Sequence, residues 1–123
     1  MSDFGNRLKE LRKSKLINQR DLADGAQIDP TYLSKVETGK MVPPAEDTIK
    51  RLAKVLGEDP TELLLLARKI PADVKDILTG TPEVTRFLRT AHQQGWSGKK
   101  WERLRQQAES QPELFDEDKG QGD

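Results

Sequence analysis

The chain has 123 residues, with 21 Lys and Arg balancing 21 Asp and Glu, and only 33% of its residues are hydrophobic. This length predicts one compact domain or one domain with an appendage, and so lean an apolar content favours a small helical bundle over an enzyme core. With no cysteine and a single histidine, disulfide, zinc and Cys/His nucleophile chemistry are excluded, and we expect no enzyme, no metal and no cofactor. No segment resembles a membrane span or a secretion leader, so we expect a cytoplasmic protein without membrane contact.

Apolar residues recur at helical spacing in five short stretches of the first 70 residues. They predict five helices, over residues 4–15, 19–26, 30–37, 46–56 and 60–69. Each is too short to be stable unless it packs on the others. The link between the second and third helices is only about three residues long. It therefore predicts a helix-turn-helix.

Residues typical of helix ends separate these stretches. Asn18, Asp29 and Asp59 are placed to cap the starts of the second, third and fifth helices, and proline follows the two aspartates. Gly57 is placed to end the fourth helix. Thr81, which is also followed by proline, predicts a further cap in the second half of the chain.

Weaker helical patterns follow over 72–78, 82–93 and 98–109. They are too short to bury a core alone, so they predict a helical extension rather than an independent domain. The last 14 residues carry five acids against one base, and such a polar segment predicts disorder. The sequence therefore predicts three parts: a helix-turn-helix domain over 1–70, an extension over 71–109 and an acidic tail over 110–123.

The stretch from Asn18 to Lys40 reads NQRDLADGAQIDPTYLSKVETGK, and Pro44 and a helix ending at Leu56-Gly57 follow it. At this spacing the combination resembles the Cro/cI-type (XRE) helix-turn-helix regulators over residues 7–66. The resemblance implies an all-α, five-helix lambda-repressor-like domain and a bacterial or phage transcriptional regulator. Its simplest form is a repressor that binds a palindromic operator in double-stranded DNA as a homodimer.

The resemblance also implies which residues contact DNA. The third helix would enter the major groove and present its outward positions to base edges: Pro30, Thr31, Tyr32, Ser34 and Lys35. Lys35 could donate to guanine and the Thr31 methyl could contact thymine, while Tyr32 could instead pack against the second helix. A second set would contact phosphates and position the protein without reading sequence: Asn18, Gln19, Arg20, Thr38, Gly39 and Lys40. Arg12 and Glu37 match a buried ion pair that ties the first helix to the end of the third.

Three positions depart from the family's pattern. Leu16 and Gln27 stand where glycine is usual, and a left-handed backbone at either would cost on the order of 1 kcal/mol. Ala45 stands where serine usually caps the fourth helix, a loss of about 1 kcal/mol.

The extension leaves several functions open. Two apolar stripes predict a dimer or partner interface. The first contains Val84, Phe87, Leu88 and Ala91, and the second contains Trp101 and Leu104. Within the resemblance, a partner would be a cognate toxin or an ImmA/IrrE-like metalloprotease that controls the regulator. The nearby basic cluster, Lys99, Lys100, Arg103 and Arg105, could be a second nucleic-acid contact or a solvated face. The acidic tail could compete with DNA or only solvate the chain. A scaffold that has lost DNA binding is a further alternative, against which Gln19, Lys35 and Lys40 argue.

Overall fold

The computed structural model describes residues 3–117 and is helical throughout that range, with no strand. Its helices are α1 Asp3–Ser14, α2 Gln19–Ala26, α3 Pro30–Glu37, α4 Glu46–Leu56, α5 Thr61–Leu66, α6 Ala72–Gly80, α7 Pro82–Gln93 and α8 Gly98–Ser110. The predicted all-α fold is confirmed. Within the described range, no helix is both long and apolar enough to cross a membrane.

The first five helices share one hydrophobic core. Each helix contributes at least one large, fully buried side chain to this core: Phe4, Leu8, Leu22, Leu33, Ile49, Leu52, Leu63 and Leu64. Burying one such side chain stabilises the fold by roughly 1.5–3 kcal/mol relative to leaving it in water. Helices that are too short to stand alone therefore stabilise one another, as their apolar spacing predicted.

The predicted caps fix the helix-turn-helix. The Asn18 Oδ1 atom accepts the backbone N–H of Asp21 at 2.8 Å, and the Asp29 Oδ1 atom accepts that of Thr31 at 2.7 Å. Three residues separate α2 from α3. Because both helix starts are capped by side chains, this short link holds a defined angle between the two helices.

Several predicted helix bounds differ from the structure by one or two residues, and the end of α5 and the cap of α7 differ for identifiable reasons. Helix α5 ends at Leu66 rather than at residue 69, because Arg68 adopts a left-handed backbone with φ 60° and the Lys69 N–H turns back to the Leu64 carbonyl at 2.9 Å. The predicted side-chain cap at Thr81 was wrong: the Thr81 hydroxyl makes no capping bond, and its carbonyl instead accepts the Val84 N–H at 3.0 Å.

The described chain divides into two compact units, with the boundary between Asp76 and Ile77. In the second unit, three rings hold α7 and α8 together. The Phe87 ring meets Trp96 and Trp101 edge to face at centroid distances of 5.3 and 5.9 Å, and the two tryptophan centroids lie 4.9 Å apart. Aromatic pairs in such geometry add to the stability from area burial alone.

The predicted disordered tail differs from the structure in its first half. Pro112–Phe115 forms a short 3₁₀ helix, here called the C-terminal turn, in which the Leu114 N–H bonds to the Gln111 carbonyl at 3.1 Å. Pro112 favours this turn because its ring fixes φ near the helical value. The rest of the predicted tail, over 118–123, lies outside the described residues.

Candidate nucleic-acid interface

Helix α3 is fixed on one side and open on the other. Leu33 and Val36 are buried in the core, whereas Thr31 and Lys35 are exposed on the outward face. The remaining residues predicted to read bases, Pro30, Tyr32 and Ser34, are half-buried. The Tyr32 side chain packs against the core, so the outward face offers chiefly a hydroxyl, a methyl and an ammonium group.

A close contact with α1 sets the position of α3, and the sequence analysis missed it. A Cβ atom at Gly5 would lie 2.5 Å from the Val36 carbonyl oxygen and 2.7 Å from that of Glu37. Real Cβ atoms do not approach backbone so closely, so only glycine lets the helices meet here. The available signal was a glycine inside an otherwise regular helix, which costs about 1 kcal/mol relative to alanine and so calls for a packing reason.

The pair formed by Arg12 and Glu37 lies beneath the end of α3. The Arg12 Nε atom is 2.7 Å from Glu37 Oε2, and its Nη2 atom is 3.0 Å from Glu37 Oε1. The Arg12 Nη1 atom also donates to the Ile17 carbonyl at 3.0 Å. The side chains are only 9% and 1% exposed, and a two-pronged pair of this kind is geometrically specific. It joins α1, the turn after α1 and the last turn of α3.

Gln19 is part of the same network. Its Nε2 atom donates to Glu37 Oε1 at 2.9 Å. An amide nitrogen carries two hydrogens, so the second remains available to another acceptor. The Asn18 carboxamide likewise uses its oxygen as the cap and keeps its NH₂ group as a donor. Arg20 is exposed.

The loop after α3 uses most of its donors internally. The Thr38 hydroxyl donates to the Ser34 carbonyl at 3.0 Å. The backbone N–H groups of Gly39 and Lys40 bond to the Val36 and Lys35 carbonyls. Of the loop residues Thr38, Gly39 and Lys40, the lysine therefore carries the accessible donor, its ammonium group. Within residues 3–117, Arg20, Lys35 and Lys40 form no ion pair, so these cations are available to an anionic partner.

The structure shows backbone strain at both positions where glycine was expected. Leu16 has φ 58° and Gln27 has φ 61°. Ala45 provides no side-chain cap to α4. The helix-turn-helix therefore tolerates three local costs of on the order of 1 kcal/mol each.

In the second unit, the predicted interface residues divide by exposure. Phe87 is 48% exposed, Leu88 38% and Trp101 36%, while Val84 and Leu104 are half-buried. Ala91 is only 1% exposed, so it belongs to the interior of the unit and not to an accessible surface.

Known proteins of similar sequence are helix-turn-helix proteins, in agreement with this arrangement of α2 and α3. A family model described as a helix-turn-helix domain covers residues 5–69. The uncharacterized HTH-type transcriptional regulator RghRB of Bacillus subtilis strain 168 is 33% identical over 126 residues, spanning 94% of this chain and 91% of that protein.

Two solved structures are similar. That of a SinR protein/SinI protein complex has a TM-score of 0.50 at 22% identity and covers 89% of this chain and 98% of that chain, which shows the fold alone. The N-terminal DNA-binding domain of SinR from Bacillus subtilis is 28% identical, with a TM-score of 0.48, over 52% of this chain and 93% of that chain. With the family match over residues 5–69 and the full-length likeness to RghRB, the chain belongs to the Cro/cI-type (XRE) helix-turn-helix transcriptional regulators, a DNA-binding class that is not enzymatic.

Proposed function

We propose that the chain is a cytoplasmic repressor that binds a palindromic operator as a homodimer, with α3 of each copy in the major groove. The observation that carries this proposal is the outward face of α3. Thr31 and Lys35 are exposed on a helix whose opposite face, Leu33 and Val36, is locked into the core. A rigid helix with a polar outer face suits readout of base edges in the major groove.

The contacts divide into two classes. Lys35 and Thr31 would read bases, with Pro30, Ser34 and the edge of Tyr32 beside them. The phosphate contacts would come from the Lys40 ammonium, the Arg20 guanidinium and the free amide hydrogens of Asn18 and Gln19. Thr38 and Gly39 would lie along the DNA backbone without donating hydrogen bonds to it, because their polar hydrogens are already bonded within the loop.

The second unit supports the dimer. Among its described residues only Ala91 is fully buried, while Phe87, Leu88 and Trp101 keep a third to a half of their surface exposed. A helical hairpin with so small an interior gains little from burial alone. Pairing with a second copy would cover these side chains, and two-fold symmetry would place two α3 helices for a palindromic site.

Occupancy of the operator would be enough to repress transcription. A dimer on an operator that overlaps a promoter excludes polymerase without any further activity. Control by a toxin-like or protease-like partner is the alternative use of the same apolar face. It would show as a regulator that is monomeric alone and changes its DNA affinity only when such a partner is added.

The test begins with an operator selected from a random DNA pool by the full chain. We expect a two-fold symmetric site with half-sites separated by a multiple of about 10 base pairs. Lys35→Ala should then weaken operator binding by about 1–3 kcal/mol and random-DNA binding much less. Lys40→Ala should weaken operator binding and random-DNA binding alike. It should also reduce the slope of log affinity against log salt concentration by about one.

Lys54→Ala, which removes an exposed lysine on α4 outside the proposed contacts, is the matched control and should change neither affinity. A Lys35→Ala variant with an unchanged ratio of specific to random binding would refute the placement of α3 in the groove. A selected site without symmetry would refute the dimeric operator complex.

A further inference from the structure

The charges along α8 and the C-terminal turn are separated by sign. The first half of α8, over 98–105, contains four cations and one acid: Lys99, Lys100, Glu102, Arg103 and Arg105. The following stretch, over 106–117, contains four acids and no cation: Glu109, Glu113, Asp116 and Glu117. One end of this segment is therefore basic and the other acidic.

This order is opposite to the one that stabilises an isolated helix. The N-terminus of a helix carries a partial positive charge and its C-terminus a partial negative charge, so acids favour the first turn and cations the last. Helix α8 has no acid in its first turn and no cation in its last. Interaction with the helix dipole therefore does not explain this charge pattern.

Within the described residues, most of the basic end is also without a carboxylate partner. Arg105 is engaged, because it bonds to Glu102 and Glu109 on the same helix. Among residues 3–117, however, neither Lys99 nor Arg103 has a carboxylate within ion-pair distance. The Lys100 ammonium lies 4.3 Å from the Trp96 ring centroid, which holds it near the apolar face.

Between the charged ends lies the apolar stripe of α8. Trp101, Leu104 and Ala108 follow one another at helical spacing, and Ala108 lies midway between Lys99 and Glu117. Trp101 is 36% exposed, and Leu114 and Phe115 in the C-terminal turn are more than half exposed. Trp101 packs on the Phe87 ring of α7 and Leu104 is half-buried, so the stripe is partly exposed. A partly exposed apolar stripe flanked by opposite charges suits a surface that pairs with its own copy.

We propose that α8 pairs antiparallel with α8 of a second copy, about a two-fold axis near Ala108. The basic start of each helix then lies against the acidic end and C-terminal turn of the other, and Leu114 and Phe115 cover the start of the partner helix. A parallel pair would place Lys99 beside Lys99 and Glu109 beside Glu109. The inference rests on the proposed dimer and adds the direction of its helices.

Charge reversal tests the direction. The variant Lys99→Glu/Arg103→Glu should raise the dimer dissociation constant of the full chain at least about tenfold at low salt, measured by sedimentation equilibrium. Glu113→Lys/Asp116→Lys should do the same from the other end. An equimolar mixture of the two variants should form a heterodimer close to the native affinity, since each basic end again meets an acidic one.

The matched control is Arg86→Glu/Arg89→Glu. It makes the same change in net charge on α7, on the side of that helix opposite its apolar stripe, and should change the dissociation constant by less than about twofold. Raising NaCl from about 50 to about 500 mM should weaken the native dimer several-fold, because salt screens attraction between opposite charges. Far-UV circular dichroism would confirm that each variant is folded.

Two results would overturn the inference. One is a native dimer that tightens as salt is raised, which indicates like charges facing each other in a parallel pair. The other is a dissociation constant that neither reversal changes. A chain that stays monomeric at every concentration is a separate outcome: it removes the proposed dimer, and with it any partner copy for α8.

Discussion

Replacing Arg12 by methionine removes one side of the buried pair that ties α1 to the end of α3. Glu37, whose side chain is 1% exposed, would be left with the Gln19 amide as its remaining side-chain donor. Truncating one member of such a pair costs about 3–5 kcal/mol, because the other is left buried without compensation. In a domain of this size that corresponds to a fall in melting temperature of at least about 12 °C.

The double variant Arg12→Met/Glu37→Leu should behave differently. With both charges gone, hydrophobic side chains fill the same space, and buried pairs replaced in this way often leave stability unchanged or raised. We therefore expect the double variant to melt near the native temperature. Its operator affinity should nevertheless fall, because Gln19 has lost the acceptor that orients its amide.

The measurement is thermal unfolding followed by far-UV circular dichroism. Both tryptophans, Trp96 and Trp101, lie in the second unit, so their fluorescence separately reports whether that unit is unaffected. Arg7→Met is the matched control, since it breaks an exposed pair with Glu62 and should shift the transition far less. An Arg12→Met variant within about 1 kcal/mol of the native chain would refute the buried-pair reasoning. Native operator affinity in the double variant would refute the positioning of Gln19.

Three further outcomes follow from single positions. Gly5→Ala should destabilise the chain by about 1–3 kcal/mol, because its Cβ meets backbone. Gly98→Ala, where a Cβ meets nothing within 4 Å, should not, and thermal unfolding distinguishes the two. Gln27→Gly should raise stability by up to about 1 kcal/mol in urea unfolding by relieving its left-handed backbone. Hydrogen bonds from the Thr61 side chain and backbone lower the pKa of Asp59. The Asp59 carboxylate thus stabilises the fold above its unfolded pKa, and this contribution is lost as pH falls through its lower folded pKa. Asp59→Asn should flatten the stability profile below about pH 4.

Most of the fold could be predicted because its signals are local. Apolar spacing, side-chain caps and proline at helix starts placed α2, α3 and α4 at the residues where the structure has them. The errors arose where a helix end depends on the backbone conformation of one residue or on contacts between residues distant in sequence. The early end of α5 depends on a left-handed Arg68, a conformation that an ordinary arginine does not indicate from sequence.

The sequence could propose the residues of the candidate site but not their hydrogen bonding. Spacing and resemblance identified Gln19 and Thr38, but only coordinates show that one amide hydrogen of Gln19 and the Thr38 hydroxyl are already committed. The role of Gly5 was hidden for the same reason, since its neighbours Val36 and Glu37 lie more than thirty residues away in sequence. Residue types reveal which groups could contact DNA, while packing determines which donors remain free.

In the proposed dimer, ionic strength affects both DNA binding by the first unit and pairing of α8 in the second. Binding of one copy to a half-site releases counterions from the phosphates that its lysines and arginines neutralise, so salt weakens it. Antiparallel pairing of α8 joins opposite charges, so salt weakens that step as well. Joining two α3 helices in one dimer makes contact with the second half-site effectively intramolecular, and so multiplies affinity only while the dimer persists. Near the dimer dissociation constant, operator occupancy should therefore fall more steeply with salt than the phosphate contacts alone dictate, because the same ions act on both steps.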